Sequence, residues 1–86
     1  MPEILTPRQE EVLLYLVGFA LEHLYQPTTR EMADEFAVSW SAIAYQLRML
    51  TEKGWIEKVP GATRAFEIPG DARALYYRRL RERNVA

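Results

Sequence analysis

The sequence predicts a mainly α fold with one small β-hairpin. Three observations predict it. Four segments open on a Ser, Thr or Asp ahead of an apolar-periodic stretch, the signature of a helix start. Two short extended runs follow the third segment and flank a Pro-Gly turn. The length, 86 residues, suits a single core and is too short to cover both faces of a parallel sheet.

Each element has a local cause. Thr6-Pro7-Arg8-Gln9 opens the first helix: Thr6 caps it, Pro7 suits the first turn and Gln9 closes a capping box. This helix is expected to run to about residue 25 and to stop before Pro27. Thr28-Thr29-Arg30-Glu31 is a second capping box, starting a short helix to Phe36 or Ala37 with Met32, Ala33 and Phe36 inward. Val38 and Ser39 turn the chain. Ser39 then caps a third helix over residues 40–53, whose Ile43, Leu47 and Leu50 make one stripe. Gly54 suits the left-handed residue after it. Residues 55–59 and 65–68 read as a hairpin around 60–64. Pro69-Gly70 breaks the chain, and Asp71 is expected to cap a last helix over 72–83.

A short helix, a tight turn and a longer helix make a helix-turn-helix. A hairpin directly behind it makes a winged helix-turn-helix, here with an added C-terminal helix. We read residues 1–86 as one domain, with its core in 5–69 and the C-terminal helix in 71–83.

Composition excludes several chemistries. Hydrophobic residues make up 49% and charged residues 27%, a globular balance. There is no cysteine, so disulfides, thiolate metal sites and a cysteine nucleophile are excluded. A lone His23 cannot build a multi-imidazole metal site, and its neighbour Glu22 does not face it on a helix. No glycine loop for phosphate and no hydroxyl–base pair is visible. No enzyme activity, cofactor or metal is expected. The longest apolar stretch, 12–21, is broken by Gly18 and is half the ~20 residues a bilayer span needs. The start lacks the basic region of a signal peptide, so a cytoplasmic protein without membrane contact is expected.

Net charge is −1, which by itself argues against nucleic acid as a partner. The distribution argues otherwise. Residues 1–38 hold two basic against seven acidic residues, and residues 39–86 hold nine against five. Such a chain can present one basic face despite a near-neutral total.

Specific stretches resemble a known family. Thr6-Pro7-Arg8-Gln9-Glu10-Glu11-Val12 resembles the opening of the DNA-binding domain of LexA repressors. Gln26-Pro27-Thr28-Thr29-Arg30-Glu31-Met32-Ala33 resembles its Pro-Thr, then Glu-Ile-Ala pattern. Leu47-Arg48-Met49-Leu50-Thr51-Glu52-Lys53-Gly54-Trp55-Ile56-Glu57 is similar to its third helix and first wing strand. Gly61-Ala62-Thr63-Arg64 is similar to its wing tip, usually Gly-Ala-Ser-Arg. The resemblance covers residues 5–68 and implies a winged helix that binds double-stranded DNA. Two departures limit it. No Lys follows Lys58, so the family's serine–lysine protease and regulation by self-cleavage are not expected of this chain. Trp40, Ser41, Ala42 and Tyr45 do not copy the family's base readers, so the family's operator is not expected either.

With Ile43, Leu47 and Leu50 inward, the third helix leaves Trp40, Ser41, Ala42, Tyr45, Gln46 and Arg48 outside. A recognition helix reads bases with its N-terminal half. Gln46 can pair with adenine, Ser41 can bond a base or phosphate, and Ala42 can pack on a thymine methyl. Tyr45 can bond a phosphate. Trp40 either packs on a sugar or plugs the gap between the second and third helices. Thr28, Arg30 and Ser39, at the starts of the two helices, complete the set there. Lys58, Thr63 and Arg64 belong to the wing, where a lone Arg suits a narrow minor groove.

The first helix is apolar on two faces. Val12, Tyr15, Leu16, Phe19 and Ala20 serve the core. Leu14, Val17, Gly18, Leu21 and Tyr25 make a second face, and a helix apolar on both faces is buried on both. Gly18 costs about 1 kcal/mol of helix stability against Ala, which close backbone approach would offset. This face meets either a second copy or the last helix folded back. The last helix carries Leu75, Tyr76 and Leu80 as a docking stripe, with Arg73, Arg78, Arg79, Arg81 and Arg83 in water or near phosphates.

The expected function is a sequence-specific double-stranded DNA-binding transcriptional regulator. A homodimeric repressor is expected, with helix 40–53 in the major groove and the 58–65 wing on the backbone or minor groove. The alternative is a winged-helix protein–protein module, an adaptor or anti-repressor, using the apolar face of helix 7–25.

Overall fold

The computed structural model describes residues 2–61 and 66–84. The order is α1 (Pro7–His23), α2 (Thr29–Phe36), α3 (Trp40–Glu52), β1 (Glu57–Lys58), β2 (Phe66–Glu67) and α4 (Gly70–Asn84). The strands pair antiparallel, with Glu57 opposite Glu67 and Lys58 opposite Phe66. This is the winged helix-turn-helix with an added C-terminal helix that the sequence predicts.

The helix starts follow their caps. In α1 the Thr6 hydroxyl accepts from the Gln9 N–H at 3.2 Å, and the Gln9 Oε1 accepts from the Thr6 N–H at 3.0 Å. Thr28 and Glu31 repeat the arrangement for α2. The Ser39 hydroxyl accepts from the Ala42 N–H to start α3. The ends differ more from expectation. Helix α1 stops at His23 because Leu24 turns left-handed at φ 64° and donates its N–H to the Ala20 carbonyl. Ala37 ends α2 in the same way at φ 55°. Only after α3 does a glycine take that role, Gly54 at φ 85°.

Strand β1 starts later than predicted, for a visible reason, while residue 65 of the expected second strand lies outside the described residues. The Trp55 N–H is spent on the Leu50 carbonyl, closing α3, so residue 55 cannot join the ladder. Helix α4 starts earlier than predicted, with the Pro69 carbonyl accepting from Ala72 and Arg73. Asp71 therefore lies inside the first turn and is not its cap, although its charge still favours the helix N-terminus.

The core joins all four helices. Val12, Leu13, Leu16 and Val17 of α1 pack with Met32, Ile43, Leu50 and Ile56, and with Ala72 and Leu75 of α4. Tyr15, Phe19 and Ala20, expected at the centre, are half-buried at its edge, while Leu13 and Val17 are fully buried. The stripe is rotated because α4 folds back along α1. Of the two coverings left open for the second face of α1, the structure contains this one.

Two contacts fix α4 on α1. Tyr76 lies over Gly18 so closely that a Cβ there would come within 2.9 Å of the ring. Arg79 grips Glu10 with two hydrogen bonds, at 3.0 and 3.1 Å, and also bonds Glu82. These bonds raise the Arg79 pKa above its ordinary value, led by the Glu10 contact.

The wing is tied to the rest by a side chain. Gln26 donates its amide N–H to the Phe66 carbonyl at 2.6 Å and accepts from the Phe66 N–H at 2.9 Å. The N-terminal arm is anchored likewise. Glu3 donates its N–H to the Lys53 carbonyl, and its own carbonyl accepts from the Trp55 indole.

Candidate nucleic-acid interface

Helices α2 and α3 pack against each other around Met32, Ile43 and Leu47, which leaves the start of α3 facing solvent. Trp40 is 58% exposed, so it does not plug the gap between the two helices. Tyr45 is 49% exposed, and Ser41 and Arg48 are exposed beside it. The Arg48 guanidinium lies 5.4 Å from the centre of the Tyr45 ring, a cation–π contact that holds its charge outward. Ala42 is half-buried.

Gln46 departs from the outward reading. It is half-buried, and its Oε1 is buried without a hydrogen-bond partner among the described residues. Pairing with adenine needs both amide atoms out of the protein. The helical wheel misplaced it because Gln46 lies three residues after Ile43, at the border of the buried stripe.

The surrounding groups are divided. The Thr28 and Ser39 hydroxyls are engaged in their caps. Arg30 and Lys58 are exposed. Thr63 and Arg64 lie outside the described residues. Both ion pairs among the described residues belong to Arg79, so Arg30, Arg48 and Lys58 form none there. The result is an exposed aromatic and cationic surface along α3, from Trp40 through Tyr45 to Arg48.

The expected partner interface is corrected in part. Val17 and Leu75 are buried inside the chain, at 0% and 5% exposure, and Gly18 lies under Tyr76. Leu14 and Tyr76 pack against the core. These five are used up by the α1–α4 contact. Leu21, Tyr25 and Leu80 remain exposed.

Three residues that organise this region were not singled out from sequence. Gln26 sets the wing. Lys53 reaches the Ile4 carbonyl and the Gln9 Oε1, and Trp55 holds the arm. Their partners are 40 to 52 residues away, beyond the reach of local pattern.

One titrating group is perturbed at the edge of the core. Burial raises the Tyr15 pKa above its ordinary value, and the nearby Glu35 and Glu31 carboxylates add to this. Among the described residues, no cluster of three or more His, Cys, Asp or Glu could hold a metal. No described helix is long and apolar enough to cross a membrane.

Comparison with known proteins agrees with this geometry. The LexA DNA binding domain family matches residues 2–65. The chain is similar to the LexA repressor of Geobacter metallireducens, 38% identical over 69 residues, 79% of this chain and 34% of that protein. It is similar to the LexA repressor of Pseudomonas aeruginosa, 42% identical over 67 residues, 77% of this chain and 33% of that protein. The chain thus spans about a third of the length of the curated relatives it matches. A solved structure of a hypothetical protein aligns with a TM-score of 0.80 over 94% of this chain and 25% of its own, at 17% identity, a likeness of fold alone. A match over residues 2–65, most of the chain, makes this chain a member of the LexA DNA-binding domain family.

Proposed function

We propose that the chain binds double-stranded DNA sequence-specifically as a homodimeric transcriptional repressor. Helix α3 enters the major groove, and the wing touches the backbone or the minor groove. The observation that carries this reading is the start of α3: Trp40, Ser41, Tyr45 and Arg48 are exposed together. Exposed aromatic side chains on one helix mark a contact surface where a lone exposed residue would not, and Trp40 and Tyr45 share α3. On the same helix the Arg48 guanidinium lies over the Tyr45 ring and enters no ion pair among the described residues.

Roles follow from placement. Ser41 and Ala42 lie in the first turns of α3, the part of a recognition helix that meets base edges. Arg48 lies farther along and serves the phosphate backbone, with Arg30 and Lys58 on either side in sequence. A protein-contact role for the second face of α1 keeps only Leu21 and Tyr25, since α4 covers Val17 and Gly18.

Selection from a random duplex library, read by gel shift, tests the reading. Enrichment of a palindromic site is expected, with Ser41→Ala changing the preferred bases and Trp40→Ala weakening binding. A folded chain that enriches no sequence at low salt would overturn it.

A further inference from the structure

A cleft of about 470 Å³ opens between α4, the N-terminal arm and Trp55, within the size range of small-molecule sites. The buried Leu75 and the half-buried Trp55 line it. The arm adds Ile4, whose side chain is 90% exposed although its backbone is pinned. The Ile4 carbonyl accepts from the Lys53 ammonium at 3.0 Å, and Glu3 before it is held by Lys53 and Trp55. A fixed aliphatic side chain near an indole thus leaves apolar surface uncovered in the cleft. Arg78 and Arg81, three residues apart on one face of α4, line the same space. Neither enters an ion pair among the described residues, although Glu3 and Asp71 also line the cleft. Asp71 lies in the first turn of α4, about 10 Å along the axis from Arg78, where its charge suits the helix N-terminus.

We infer that this cleft binds a small amphipathic carboxylate, with its head on Arg78 and Arg81 and its apolar body along Leu75, Trp55 and Ile4. Guanidinium groups match the planar, two-point geometry of a carboxylate, and a free pair of them favours an anion. The apolar lining adds affinity that a bare anion would not gain. Asp71 sets the direction. It repels a second negative group at the start of α4, so a ligand with one charged head and an apolar tail suits the cleft better than a dianion. The site is separate from the α3 surface. The family match ends at residue 65 and α4 begins at Gly70, so both arginines stand on an element outside that match.

Octanoate, added to the full chain labelled with nitrogen-15 and followed by NMR at pH 7, tests the site. The two tryptophans report separately, since Trp55 lines the cleft and Trp40 stands on α3. The Trp55 indole N–H signal is expected to move and to saturate at about millimolar octanoate, while the Trp40 signal stays in place. Octylamine has the same tail with the opposite charge and is expected to act at least about tenfold more weakly. Inorganic phosphate, a charge without a tail, is expected to leave Trp55 unmoved. The double variant Arg78→Gln with Arg81→Gln should weaken octanoate about tenfold. Ile4→Ser should weaken it too, by about threefold or more. If the double variant does not keep the parent's spectrum away from the cleft, Arg81→Gln alone is read in its place. No saturable shift at Trp55, or a Trp40 signal that moves in step with it, overturns the site. Equal effects of octanoate and octylamine, or of octanoate and phosphate, overturn the carboxylate assignment. Unchanged octanoate affinity in the arginine variant does the same.

Discussion

Leu24 holds a backbone conformation that a side chain disfavours. Its φ is 64°, and it is 90% exposed, so the side chain gains little packing in return. The left-handed region costs an L-residue roughly 1–2 kcal/mol, and glycine escapes that cost but loses more freedom on folding. Leu24→Gly is therefore expected to raise stability by about 0.5–1 kcal/mol in urea unfolding. Tyr15 makes a pH-dependent contribution. Its folded-state pKa is raised above 10.0, chiefly by burial. The unfolded chain gives up this proton near its ordinary pKa while the folded chain keeps it. The stability is thus complete below pH 10 and declines as pH climbs through the folded value. Between about pH 9 and pH 11, Tyr15→Phe should lose less stability in urea than the parent loses. Neither residue was legible as special. Leu24 lacks the glycine that flags a left-handed cap, and the Tyr15 shift depends on burial, then on α2 carboxylates, both produced by folding.

At the scale of elements, α1 shows what pattern can and cannot say. Its two apolar faces and Gly18 were readable, as was the need for a cover. The identity of the cover was not, because a helix of the same chain and a helix of another copy present the same chemistry. Helix starts were readable to the residue, since a capping box is local. The start of β1 was not, since the Trp55 N–H had already been taken by α3. Gln46 was misplaced because a wheel angle near the stripe edge does not separate border from surface. The α1–α4 contact predicts its own weak point. Gly18→Leu should destabilise by about 1–3 kcal/mol, because its side chain displaces the Tyr76 ring from α1. Paired with Tyr76→Ala, its effect should be non-additive in a double-mutant cycle. The wing predicts another. Gln26→Ala removes the acceptor of the Phe66 N–H, so exchange of that amide with deuterium should speed up about tenfold or more while α1 amides keep their rates.

For the whole molecule, the division of charge decides how it meets a polyanion. The acidic residues of the first half would repel DNA if they faced it, which favours the proposed approach with α3 leading. Few cations take part, and binding should fall with salt on a shallow slope. Arg48→Ala is expected to weaken binding about equally for all sequences and to lower that slope by about 1 in a log–log salt titration. A change confined to the preferred site would assign Arg48 to the bases instead.

The Gln26 amide has a consequence beyond holding the wing. Phe66 turns its N–H and carbonyl away from β1, and Gln26 meets both. A single carboxamide thus imitates one residue of a third strand. The outer edge of a two-stranded ribbon is the usual place for another chain to add itself and begin an aggregate. At Phe66 that template is already filled, so this short ribbon resists edge-to-edge growth without lysine, proline or a bulge on β2.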